Sequence, residues 1–235
     1  MFYQFVNLLK DNFEILLLLQ NIYILLNYIT HMKSHRVVVF GDSIAWGACD
    51  SQGGWVHRLK LDLENQNELD YSIYNCGVDG DTTQSLLKRF EVEHTARYYK
   101  ENDEHIVIFA IGINDSHNIK EKGNLAVPLE TFKQNMKALI KQAQKLSTRI
   151  LIVGLTPIHE FRTTPVKWDN TISYYTEYVE LYNSILEEIA QEHNIEFIEM
   201  LHTISTEDLT DGIHPNDRGH QKMYLKIKEH LLNYQ

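Results

Sequence analysis

Apolar runs alternate with longer amphipathic segments along the chain from about residue 36 to its end. The runs are short and rich in Val and Ile, which is typical of strands buried within a parallel sheet. Strands that alternate with helices imply a parallel sheet covered by helices on both faces, so the predicted class is α/β. The five predicted strands are Arg36–Phe40, Tyr71–Asn75, His105–Ile111, Arg149–Leu155 and Ile195–Glu199.

The amphipathic segments between and after these strands predict helices. The first, Thr82–Tyr99, follows Asp81 and contains Gln84, and these two residues have the spacing of a capping box. Asn216 is predicted to cap the last helix. The predicted inward faces carry Leu129, Phe132, Met136, Leu139 and Ala143 in segment 129–146, Tyr174, Tyr178, Leu181, Ile185 and Ile189 in segment 174–191, and Met223, Ile227 and Leu231 in the last helix.

The first 31 residues have a different pattern. They contain two apolar patches, Ile15–Leu19 and Ile22–Leu26, separated by two polar residues. A membrane-spanning helix needs about 20 mostly apolar residues, and a secretory signal needs a basic start and a small-residue cleavage site; neither pattern is present. We predict that residues 1–31 are an extension that a domain at 32–235 does not need. A weak membrane anchor is the alternative.

Composition and charge narrow the classes of partner. Hydrophobic residues at 43% and charged residues at 23% are ordinary values for a globular protein. A formal net charge of -10 disfavours nucleic acid as a partner, because phosphate binding needs a basic surface. The two cysteines, Cys49 and Cys76, form no CxxC pair and favour a reducing, cytoplasmic location, although a bridge between them stays open. An anchor at the N-terminus would instead place the protein at a membrane.

Polar segments follow the ends of four predicted strands. In an open parallel sheet, ligands bind outside the carboxyl ends of the strands, so these segments are expected to converge on one edge. The segments are Gly41–Ser43, Gly77–Asp81, Gly112–Asp115 and Asp211–His214.

The residue types in these segments suit nucleophilic catalysis. A serine hydroxyl such as that of Ser43 needs a base to take its proton, and His214 is a side chain suited to that task near neutral pH. Asp211 precedes His214 by three residues and would fix its tautomer. Gly80 in a tight turn and the amide of Asn114 would supply hydrogen bonds to an oxyanion.

A metal site built from Asp211, His214 and His220 is the alternative use of the same residues. Their spacing matches no compact zinc motif, so no metal is expected.

Four sequence blocks carry a resemblance to a known superfamily. They are FGDSIAWG (40–47), NCGVDGDTT (75–83), IGIND (111–115) and DGIHPN (211–216). In this order they resemble the SGNH hydrolases, also called GDSL esterases and lipases, over nearly all of residues 36–235. The resemblance implies a three-layer α/β/α sandwich, flavodoxin-like, with a five-stranded parallel sheet.

The resemblance also implies a role for each site residue. Ser43 would be the nucleophile and its own backbone N–H a donor in the oxyanion hole, with Gly80 and Asn114 as the further donors. His214 would be the base and Asp211 its orienting partner, and no metal or organic cofactor would be needed.

Some residues have a purely structural alternative. Ser43 would otherwise cap a helix and Asn114 would otherwise belong to an ordinary turn. Asp42 and Asp115 are expected to brace their loops. Two tryptophans, Trp46 and Trp168, would either line a substrate pocket or fill the core or a surface loop.

The expected function is hydrolysis of a small-molecule carboxylic ester through an acyl-enzyme. Two alternatives stay open. One is an acyltransferase that uses the same site with an alcohol or sugar acceptor. The other is a catalytically silent carbohydrate-binding domain.

Overall fold

The computed structural model describes residues 17–23, 34–64, 71–99 and 104–233. The chain divides into two compact units, 1–33 and 34–235. In the first unit, residues 17–23 are helical with exposed side chains. Within the described residues, no helix has the length and apolar character needed to cross a bilayer. Most of the predicted extension lies outside the described residues, so its dispensability stays a prediction.

A five-stranded parallel sheet forms the centre of the second unit. Its strands are β1 His35–Gly41, β2 Tyr71–Gly77, β3 Glu104–Ala110, β5 Arg149–Val153 and β7 Glu196–Ile198, and a separate antiparallel pair consists of β4 Asn118–Ile119 and β6 Ile172–Ser173. The order of the sheet, β2-β1-β3-β5-β7, is that of flavodoxin-like folds, which confirms the predicted class. The central strands β1, β3 and β5 are mostly apolar and buried, because helices cover both faces of the sheet.

Helices complete the three-layer sandwich. In the described residues of this unit they are α1 Ser43–Trp46, α2 Gly54–Leu63, α3 Thr83–Ala96, α4 Leu129–Ala143, α5 Glu160–Thr163, α6 Thr176–Glu192 and α7 Asp217–Leu232. In one group α2 packs on α7, and in the other α3 packs on α4, which packs on α6. Phe132, Met136 and Leu139 of α4 are buried as predicted, as are Met223, Ile227 and Leu231 of α7.

The predicted cap of α3 was wrong. Thr82, in extended backbone conformation, is the N-cap, and it forms a reciprocal capping box with Ser85. The carboxylate of Asp81 instead forms an ion pair with Arg89 at 2.5 Å. Because the carboxylate of Asp81 is paired with Arg89 in the second turn of the helix, Thr82, the residue after Asp81, caps the helix. The predicted cap of α7 by Asn216 is confirmed, since its side chain accepts from the N–H groups of the first turn.

The predicted inward face of α6 was also partly wrong. Leu181 is 40% exposed, and Tyr174 lies before the helix begins. Tyr182 lies in the core, where its ring packs against that of Phe132 at a tilt of 53° with centroids 4.8 Å apart. Its hydroxyl donates to the Val127 carbonyl. Ile185 and Ile189 are buried as predicted, whereas Val179 and Tyr182 replace Tyr178 and Leu181 on the inward face. The buried apolar residues of the helix are Val179, Tyr182, Ile185, Leu186, Ile189 and Ala190.

Candidate active site

The turn between β1 and α1 presents Ser43. Asp42 is the N-cap of α1, and its side chain accepts from the Ile44 N–H at 2.9 Å, as expected for a bracing residue. Ser43 is the first residue of the helix, so its backbone N–H has no acceptor within the helix. Gly41 allows this sharp turn, because a Cβ there would lie 2.5 Å from the Ala110 carbonyl oxygen.

The structure brings Ser43, His214 and Asp211 into one hydrogen-bonded chain. Ser43 Oγ lies 2.9 Å from His214 Nε2, and His214 Nδ1 lies 2.7 Å from Asp211 Oδ2. The other carboxylate oxygen of Asp211 accepts from the backbone N–H groups of Ile213 and His214 at 3.0 and 2.9 Å. These bonds fold the loop so that Asp211 and His214 share one face, as the spacing predicted.

Electrostatics keep the Asp211 carboxylate charged. Burial raises its pKa, but the hydrogen bonds and charge of His214 outweigh that effect and lower the pKa to about 2. Asp211 is therefore ionised at neutral pH and able to accept the Nδ1–H of His214. Asp42, the residue that precedes the nucleophile, is the opposite case, because burial raises its pKa to about 7.

Gly80 and Asn114 lie at the same edge of the sheet as Ser43, in the loops that follow the carboxyl ends of β2 and β3. Gly80 has φ +72°, a backbone conformation that favours glycine. A Cβ there would meet no atom within 4 Å, so the backbone conformation, and not crowding, favours glycine at this position. Asn114 is buried in a short 3-10 turn, where its Nδ2 donates to the Asp81 carbonyl at 3.0 Å. Its Oδ1 accepts from the Tyr174 hydroxyl at 2.8 Å. Asp115 braces this turn by accepting from Thr83.

A cavity of about 560 Å³ opens over these residues. Ser43, Gly80, Asn114, Asp211 and His214 all line it. The two predicted pocket tryptophans, Trp46 and Trp168, line it as well and are 59% and 55% exposed, so neither belongs to the core. The ring centroid of Trp168 lies 6.0 Å from that of His214.

Sequence reasoning gave no site role to several further residues of the lining, among them Cys49, His117 and Tyr174. No motif marks Cys49 or Tyr174, and both reach the cavity only through the tertiary fold. In the described part of the chain, Cys49 joins Asp211 and His214 in a group of possible metal ligands whose atoms lie within 4.8 Å of one another. Burial, followed by the charge of Asp211, raises the pKa of the Cys49 thiol, which is therefore protonated at neutral pH.

His220 is not a member of that group. Its Nδ1 accepts from the Trp55 N–H at 3.2 Å, and its Nε2–H donates to the Ala48 carbonyl at 2.9 Å. Both ring nitrogens are thus used by the backbone around the start of α2, so the metal set of Asp211, His214 and His220 is not assembled. Cys49 and Cys76 are both free thiols, and the bridge left open by the sequence is not formed.

Solved structures share this fold at low sequence identity. A lipase/acylhydrolase from Enterococcus faecalis is 21% identical, with a TM-score of 0.67 over 84% of this chain and 95% of that one. A lipolytic protein of the G-D-S-L family from Veillonella parvula is 22% identical, with a TM-score of 0.63 over 86% and 100%. A catalytic mutant of an acetylxylan esterase from Geobacillus stearothermophilus is 20% identical, with a TM-score of 0.64 over 86% and 96%.

Sequence comparison identifies the family. None of the curated proteins matches the sequence significantly. The family described as GDSL-like Lipase/Acylhydrolase matches residues 39–222, a span that contains every residue of the hydrogen-bonded chain and both proposed loop donors. Since this match covers most of the sequence, the chain belongs to the GDSL-like lipase/acylhydrolase family.

Proposed function

We propose that this protein is a serine esterase that hydrolyses a carboxylic ester through an acyl-enzyme on Ser43. The observation that carries the proposal is the continuous hydrogen-bonded chain from Ser43 through His214 to Asp211, open to a cavity of about 560 Å³. A nucleophile, a base and an orienting carboxylate in hydrogen-bond reach of one another are the elements that acyl transfer requires.

Each proton has a defined route in the proposed reaction. His214 Nε2 takes the proton of Ser43 Oγ as that oxygen bonds to the ester carbonyl carbon. The ionised Asp211 accepts the Nδ1–H and stabilises the imidazolium. Collapse of the tetrahedral intermediate breaks the bond to the alcohol oxygen, which receives the proton from His214. Water then attacks the acyl-enzyme, with His214 again as the base, and restores Ser43.

Three donors are proposed to stabilise the negative charge on the carbonyl oxygen. The Ser43 N–H lies at the free N-terminus of α1. The Gly80 N–H lies in a turn tied to β1 by the bond from the Val78 N–H to the Gly41 carbonyl, 3.0 Å long. The Asn114 amide has a second hydrogen beyond the one given to Asp81. Fixed donors of this kind need no reorganisation when charge develops, which is why they lower the barrier.

The cavity lining and the structurally similar proteins together suggest which substrate classes to test. The exposed rings of Trp46 and Trp168 offer apolar contact surface beside the nucleophile. Structural neighbours include a lipase/acylhydrolase and an acetylxylan esterase, so lipid and acetylated-sugar esters are both to be tested.

A substrate panel tests this function. p-Nitrophenyl esters from acetate to palmitate, acetylated xylan and lysophospholipid would be assayed with wild type and Ser43→Ala. We expect turnover of at least one ester, reduced by about 1,000-fold or more in Ser43→Ala while the fold is retained. Turnover that survives the substitution would contradict the proposal, and so would the absence of turnover across the panel. A transferase would pass most of the acyl group to an alcohol or sugar acceptor supplied at a concentration far below that of water, whereas a hydrolase would still release mainly the free acid.

A further inference from the structure

Tyr174, a residue of the cavity lining, contacts Asn114, although the two lie 60 residues apart in sequence. Its hydroxyl donates to Asn114 Oδ1 at 2.8 Å, and both groups are buried. We infer that Tyr174 is a positioning residue of the oxyanion hole, which holds the Asn114 amide in the orientation needed for catalysis. This inference rests on the proposed role of Asn114.

The two hydrogen bonds of Asn114 together fix which way its amide faces. Nδ2 donates to the carbonyl of Asp81, and Oδ1 accepts from Tyr174. Rotation of the amide by 180° would place Oδ1 against the Asp81 carbonyl, where two acceptors would face each other. An amide nitrogen carries two hydrogens, so the observed orientation leaves one N–H of Asn114 available to a ligand in the cavity.

The Tyr174 ring is itself held firmly. Its backbone N–H donates to the Thr163 carbonyl at 2.9 Å, and its own carbonyl accepts from the hydroxyl of Thr164 at 3.0 Å. The ring packs edge-on against His117, with centroids 5.5 Å apart. Burial raises the pKa of the hydroxyl, so it keeps its proton and remains a donor at all pH values of interest.

The contribution of this hydroxyl is expected in the transition state. Charge on the substrate oxygen is absent in the bound ester and develops only as Ser43 attacks, so a well-oriented N–H acts mainly on kcat. A donor bond to Oδ1 also polarises the amide and strengthens its remaining N–H as a donor. Removing one neutral hydrogen bond of this kind is expected to lower kcat by about 10-fold, with little change in KM.

Tyr174→Phe tests the inference, because it keeps the ring and removes only the hydroxyl. Tyr182→Phe is the matched control: this tyrosine is also buried, its hydroxyl also donates to a single acceptor, and it lies outside the cavity lining. We expect kcat to fall in Tyr174→Phe at nearly constant KM and to be maintained in Tyr182→Phe. Equal losses in the two variants, or no loss in Tyr174→Phe, would overturn the inference.

A double-mutant cycle separates this inference from the proposed function. In an Asn114→Ala background, Tyr174→Phe is expected to have almost no further effect on kcat, because the amide it positions is gone. Losses that multiply would show that Tyr174 acts elsewhere and would overturn the inference. If Asn114→Ala alone left kcat unchanged, the oxyanion role of Asn114 would fail. A large loss in Asn114→Ala with none in Tyr174→Phe would remove only the role of Tyr174.

Discussion

The three proposed oxyanion donors differ in what a substitution can remove. The backbone N–H groups of Ser43 and Gly80 survive any change of side chain, whereas the Asn114 amide does not. Asn114→Ala is therefore expected to lower kcat by roughly 100-fold or more with little change in KM, since one such donor is typically worth about 3 kcal/mol. Steady-state kinetics would measure this, with Asn233→Ala as control, because Asn233 is exposed at the end of α7 and lies outside the cavity lining. A raised KM at unchanged kcat would instead indicate a ground-state contact.

Asp42 makes stability depend on pH in a predictable direction. Burial raises its pKa from 3.8 to about 7, so the folded state keeps a proton that the unfolded chain releases between these values. The free energy of unfolding therefore falls as the pH rises from about 4 to above 7. Asp42→Asn cannot ionise and retains an oxygen that can accept from Ile44. Between pH 5 and pH 8, the free energy of unfolding of this variant is expected to rise by about 1 kcal/mol or more relative to that of wild type.

Denaturant unfolding at the two pH values would test the role of Asp42. The buried carboxyl of Asp115, whose pKa burial also raises to about 7, is present in both proteins. The charge of Asp42 raises the pKa of Asp115 further, and Asp42→Asn removes that charge. The change at Asp115 therefore adds to the expected gain in stability of the variant and does not oppose it. A difference that stays constant from pH 5 to pH 8 would show that Asp42 has an ordinary pKa.

Some residues of the site could be predicted from the sequence and others could not. Ser43, Asp211 and His214 were predicted because each lies in a short motif at a strand end. Tyr174 has no such motif: its apolar neighbours suggested the inner face of a helix, and its contact with Asn114 exists only once the loops pack. The orientation of a hydroxyl toward an amide 60 residues away is a tertiary property.

At the level of elements, the N-terminus of helix α3 lies next to the residue that holds the proposed oxyanion donor Asn114. Its N-cap Thr82 follows Asp81, whose carbonyl holds Asn114. Thr82→Ala removes the capping box with Ser85 and is expected to destabilise the protein by about 1 kcal/mol. Thr95→Ala is the matched control, because Thr95 is exposed in the last turns of the same helix. Equal unfolding midpoints for the two variants in urea would contradict the assigned cap.

Strands were easier to predict than helix ends. A strand buried on both faces requires an unbroken apolar run, so β1, β3 and β5 are visible in the sequence. The start of a helix depends on which of several polar side chains finds a partner, as with Asp81 and Arg89. Helix α2 was missed because its N-cap and first residue are both glycines, Gly53 and Gly54, although its buried Trp55, Leu59 and Leu63 have helical spacing.

For the whole molecule, the first 31 residues are expected to contribute little to activity or stability. The second unit contains the sheet, the cavity and all the proposed site residues. A chain that begins at Met32 is therefore expected to remain soluble, with kcat/KM and Tm close to those of the full chain. Aggregation of the shortened chain would show that the segment is structural. Retention of the full chain, but not of the shortened one, on carbonate-washed membranes would show that it is an anchor.

The assembly of the site from four distant segments is also a property of the whole molecule. The segments lie far apart in sequence and meet because parallel strands deliver their carboxyl ends to one edge. This convergence was predictable from the positions of the predicted strands in the sequence. The volume of the cavity and the exposure of Trp46 and Trp168 were not predictable, because they depend on how the loops pack.

The central claim is that Ser43 is the nucleophile, and covalent labelling tests it most directly. A fluorophosphonate reacts with a serine only where a base activates the hydroxyl and donors stabilise the adduct. Mass spectrometry of the labelled protein is expected to show one adduct, mapped to Ser43, that is absent in Ser43→Ala and unchanged in Ser184→Ala, where an exposed serine of α6 is replaced. An adduct on another residue, or labelling that persists in Ser43→Ala, would contradict the account.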